Sequence, residues 1–75
     1  MGYTYPASYP VFEFRIFTQG SDNYFAWSPI YNKRTIQDAI EAMHKYIIPR
    51  MVSGNIIRIM NYGLASKDVL WEYQK

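Results

Sequence analysis

The residues able to do acid-base or ligand chemistry are few and scattered. His44 is the only histidine, and it follows Glu41 by three residues, a spacing at which two side chains meet on one helix face. An imidazole oriented by Glu41 is the general base such a pair could supply. A single histidine at the border of an apolar helix face is more ordinarily a boundary residue, and that is the role expected here. Cysteine is absent, which excludes disulfides, thiolate nucleophiles and thiolate metal ligation. One histidine cannot assemble the usual zinc set, and the six acidic residues show no paired spacing. Gly2, Gly20, Gly54 and Gly63 are too dispersed to form a phosphate-cradling loop. No metal and no cofactor are expected, and the chain reads as a non-enzymatic protein.

A stronger constellation comes from arginine and aromatic residues that fall in phase along alternating segments. In residues 11–18, VFEFRIFT, Phe12, Phe14 and Ile16 alternate with Glu13, Arg15 and Phe17, the period of a half-buried strand. Residues 19–23, QGSDN, carry turn chemistry, and a second strand over 24–28 should fold back as a hairpin that Pro29 stops. Thr35 and Asp38 have the spacing of a helix-capping pair. In the helix that follows, Ile36, Ala39, Ile40, Met43 and Ile47 share one face, opposite Gln37, Asp38, Glu41 and Lys45. Pro49 should end that helix near Ile48, or kink it into a short continuation before Gly54. Two further alternating runs, NIIRIMNYG and VLWEYQK, read as strands joined by a loop containing Gly63.

The element order is ββαββ, and the fold class is α+β, with one helix packed on a four-stranded antiparallel sheet. Alternation assigns Phe12, Phe14, Ile16, Phe25, Trp27, Ile57, Ile59, Val69 and Trp71 to the helix side. Glu13, Arg15, Phe17, Tyr24, Ile56, Arg58, Met60, Tyr62, Leu70 and Glu72 fall on the other face, which is too apolar to stand open to water. Residues 1–10, MGYTYPASYP, form an arm ahead of the domain at 11–75. Prolines four apart, with a tyrosine ahead of each, favour an extended strap that could cover part of that face. A second copy of the chain, giving a homodimer, or a foreign partner could cover it instead.

Hydrophobic residues at 49% and aromatics at 19% demand a packed fold, and a net charge of +2 is a weak electrostatic footprint. No basic segment leads into an apolar run, and no apolar stretch approaches the ~20 residues of a membrane span. A cytoplasmic protein without a membrane segment is expected. The expected contact residues are Arg15, Phe17, Tyr24, Arg58, Met60 and Tyr62, because arginine, methionine and aromatic side chains with charges interspersed match interface cores and rims. In size and layout, with no shared motif, this small cysteine-free chain resembles phage-borne inhibitors such as the anti-CRISPR proteins. That resemblance implies an inhibitor or adaptor that occupies a surface of a protein or nucleoprotein complex, and it assigns no site residue. The alternative reading is a small nucleic-acid-binding domain, with bases stacked on Phe17, Tyr24 and Tyr62 and phosphates met by Arg15 and Arg58. Glu13 and Glu72 on the same face count against it.

Overall fold

The computed structural model describes residues 10–63 and 65–75; the strap expected of the arm lies, Pro10 apart, outside them. Strands β1 (Phe12–Thr18), β2 (Tyr24–Ile30), β3 (Asn55–Asn61) and β4 (Val69–Gln74) form one antiparallel sheet in the order β2-β1-β3-β4. A helical segment between β2 and β3 packs on one face, which gives the expected ββαββ arrangement. The consecutive pairs β1/β2 and β3/β4 are hairpins, and β1 and β3 meet at the centre, where both flanks are paired.

The helical segment begins at α1 (Ile36–Ala42), where the Thr35 hydroxyl accepts a hydrogen bond from the Asp38 amide at 3.1 Å. That bond satisfies one of the orphan amides of the first turn. The backbone then widens into a π-helical stretch, Met43–Ile47, before a 3-10 turn, Ile48–Arg50. Pro49 explains the change. Its ring would strike the carbonyl four residues back in a regular helix, and the wider turn, with the Ile48 amide bonded to the Met43 carbonyl, carries the chain past that obstacle. Ala39, Met43, Ile48 and Met51 are buried against Phe12, Ile16, Ile57 and Ile59, while Ile36, Ile40 and Ile47 pack at the margin. Gly54, at φ +95°, takes the left-handed conformation that turns the chain into β3.

Two β-bulges alter the faces expected from alternation. Ile16 lies opposite Ala26 and Phe17 opposite Tyr24, so Phe25 is skipped. Ala26, Ser28 and Ile30 therefore lie in register with the helix-side residues Ile16, Phe14 and Phe12. Trp27 lies opposite Arg15 and belongs to the outer face, contrary to its expected place, and Phe25 is exposed. In the same way Met60 pairs with Val69 and Ile59 with Trp71, which skips Leu70 and moves Val69 off the helix side. Strand β2 also runs through Pro29 instead of stopping before it. An edge strand permits this, because a missing amide pointing away from the sheet breaks no ladder bond.

Candidate functional site

The outer face of the sheet carries Arg15, Phe17, Arg58 and Met60 between Tyr24 at one end and Tyr62 at the other, and it is a second small core more than an open platform. Its centre is Glu13, which is 0% exposed. One carboxylate oxygen accepts from the Arg15 guanidinium Nε and from the Trp27 indole Nε1. The other accepts from the Gly63 amide at 2.7 Å, and the Arg15 Nη2 donates to the Gly63 carbonyl at 3.1 Å. A buried carboxylate is tolerable only when paired and hydrogen-bonded. Here the pair also ties the loop after β3 to the middle strand. Trp27 completes the cluster because the bulge turned it outward, and its ring lies 6.1 Å from that of Tyr62.

Arg15 and Arg58 are direct neighbours across β1 and β3, a like-charge pair that would be unfavourable if both side chains rose together. They diverge instead. Arg15 lies over the Tyr24 ring at 4.8 Å and pairs with Glu13, while Arg58 lies over the Phe17 ring at 4.4 Å, with Nε 3.7 Å from Glu72. Phe17 and Tyr24 meet edge to face at 5.7 Å. Each guanidinium thus sits on an aromatic face and beside a carboxylate, an arrangement that stabilises cations away from bulk water.

Of the expected contact residues, Arg15, Phe17 and Met60 are buried, Arg58 is half-buried, and Tyr24 and Tyr62 are exposed. That Arg15, Phe17 and Met60 are buried in the folded chain is something alternation along single strands could not reveal. The exposed large apolar residues lie mostly at the two ends of the sheet. Tyr24 and Phe25 stand at the β1/β2 turn, and Val11, Tyr31, Tyr62, Val69 and Leu70 stand at the opposite end. Alternation places Tyr24, Tyr62 and Leu70 on the outer face, but it puts Phe25 and Val69 on the helix side and gives no face to Val11 and Tyr31, which lie just outside strands.

His44 has no hydrogen bond to Glu41 among the described residues. It packs edge-on against Trp71 at 5.6 Å and Tyr73 at 5.2 Å, two rings that stack on each other. Among the described residues no group of three or more His, Asp or Glu side chains stands together as a metal site, and no helix is long and apolar enough to cross a membrane. No protein-family model matches this chain, and no curated protein or solved structure matches it either.

Proposed function

We propose that this domain works by binding, as a small inhibitor or adaptor that occupies a surface of a protein or nucleoprotein partner. The observation that supports this reading is the collection of exposed apolar side chains at one end of the sheet. Phe12 lies opposite both Ile30 and Asn61, and Met60 lies opposite Val69. The antiparallel register therefore brings Val11, Tyr31, Tyr62, Val69 and Leu70 to one end, all exposed, with Lys67 and Asp68 beside them. Aromatic and aliphatic side chains next to charged ones are the composition of an interface core with its rim.

A nucleic-acid role needs cations beside exposed rings. Arg15 is buried on Glu13 and the Gly63 carbonyl, which removes it from phosphate contact, and Arg58 is half-buried over Phe17 with the Glu72 carboxylate 3.7 Å away and no hydrogen bond to it. The exposed Arg34, Lys45, Arg50 and Lys67 are spread over the surface together with the exposed Asp38, Glu41 and Asp68 and do not line up beside the exposed rings of one face. The balance favours a protein surface.

The test is a photo-crosslinker introduced at Tyr31 or Leu70, with a control at the solvent-facing Gln37. A partner crosslinked from the first two positions and not from the third supports the reading. Equal crosslinking from all three, or none from any, would refute it. Two parallel measurements separate the competing occupants. Oligonucleotide binding at low ionic strength that is lost in Arg58→Ala favours nucleic acid. A dimer by light scattering that dissociates in Leu70→Asp assigns this end to a second copy of the chain.

A further inference from the structure

The opposite end of the sheet carries an apolar pocket of about 250 Å³ on the helix side. Its walls are Phe14 and Ile16 of β1, Ala26 of β2, and Ile47 and Met51 from the end of the helical segment. Phe25, which is 61% exposed, Arg50 and the buried Asn55 complete the lining. The pocket exists because Ala26, where the sequence predicted a large side chain, leaves the edge strand unfilled beneath the helical segment. An apolar cavity of about 150 Å³ already holds a benzene ring, whereas sites for drug-sized ligands start near 300 Å³. The space therefore suits one large apolar side chain.

Two neighbours of the pocket restrict what could bring that side chain. Strand β2 is an edge, and among the described residues nothing pairs with its outer side. A strand added there would lie ~4.8 Å away and point alternate side chains toward the helix side, past the small Ala26. Pro29 has no amide to donate, so pairing is confined to residues 24–28. Arg50 is exposed and makes no ion pair among the described residues, so the pocket carries an unneutralised cation.

We propose that this edge and pocket together form a docking site for an extended peptide segment of a protein partner, with a bulky apolar anchor in the pocket and an acidic residue close to it facing Arg50. The proposal rests on the reading of the domain as a protein binder. Backbone pairing along β2 supplies affinity, while the pocket and the guanidinium select the sequence. Phe25, skipped by the bulge, is free to close over the anchor.

The experiment is selection of random nonapeptides displayed on phage against the folded chain, followed by titration of the enriched peptides in synthetic form. The expected consensus is one aromatic or large aliphatic residue with Asp or Glu within two or three positions. Binding should perturb the amide resonances of residues 24–28 and should weaken at least tenfold in Phe25→Ala and in Arg50→Glu. Both side chains are exposed, and an unchanged circular dichroism melt confirms that the variants fold. The proposal is overturned if no sequence is enriched, if the enriched peptides bind both variants normally, or if 4-phenylbutyrate fills the pocket while no peptide does. Peptides that bind these variants normally but lose affinity in Leu70→Ala overturn the pocket and leave the protein-binding reading intact. Failure of the Tyr31 and Leu70 crosslinks tests that broader reading separately.

Discussion

Replacing Glu13 by glutamine tests whether the outer face is held together by its buried ion pair. The carboxylate accepts from Arg15, Trp27 and Gly63 through its two oxygens and is 0% exposed. Glutamine has nearly the same shape but one acceptor oxygen. Its amide NH2 must point either at the Arg15 and Trp27 donors or at the Gly63 amide, so a donor meets a donor in each orientation. The charge of Arg15, a residue only 6% exposed, is left without its partner. Removing one member of a buried pair typically costs ~3–5 kcal/mol, against a total of roughly 4–11 kcal/mol for a chain of this length at ~0.05–0.15 kcal/mol per residue. Glu13→Gln should therefore lose about 3 kcal/mol or more in urea unfolding, close to the loss of cooperative folding. Both Trp27 fluorescence and far-ultraviolet circular dichroism should report the change. Arg15→Met should also destabilise, because it leaves the carboxylate buried with only neutral donors. The double variant Glu13→Gln, Arg15→Met should lose less than the sum of the two, since neither charge then remains unpaired. A Glu13→Gln variant within 1 kcal/mol of the parent, or single losses that simply add, would refute the reasoning.

Three further outcomes are expected. Ile59→Ala, at a fully buried position under the helical segment, should cost ~2–5 kcal/mol in chemical unfolding, whereas Ile40→Ala at the half-buried margin should cost clearly less. Thr35→Ala removes the acceptor of the first-turn amide and should lower stability by about 1 kcal/mol, read as a fall in melting temperature. Glu72→Gln should change stability by less than about 1 kcal/mol, because Glu72 is well exposed and its contact to Arg58 is long, and high salt should erase the difference.

What could be read from the sequence and what could not divide along a physical line. The helix, the four strands and the ββαββ order were legible because each depends on local spacing. Ile36, Ala39 and Met43 recur at helical spacing, Phe12, Phe14 and Ile16 at strand spacing, and Pro49 and Gly54 mark the breaks. The core at Ile57 and Ile59 follows from the same alternation. Strand order was not legible, since hairpin chemistry joins β1 to β2 and β3 to β4 but leaves open which strands meet at the centre.

The candidate site was only partly legible for a related reason. Alternation placed Glu13, Arg15, Phe17, Arg58 and Met60 together on a face expected to be covered, but it could not say which of them are buried in the folded chain, as Glu13, Arg15, Phe17 and Met60 are. Whether a charged side chain is buried depends on partners far along the chain, here the Gly63 backbone fifty residues from Glu13. Trp27 and Val69 were assigned to the wrong side because a bulge inserts one residue and reverses parity, and a bulge is a property of two paired strands. The same slip exposes Phe25 and puts Ala26 beneath the helical segment, which leaves the apolar pocket open at the sheet edge. Local periodicity alone determined which elements form and which residues are apolar enough to build a core. Only tertiary pairing, by setting register and bringing distant donors onto one carboxylate, decided which face closed and which end stayed exposed.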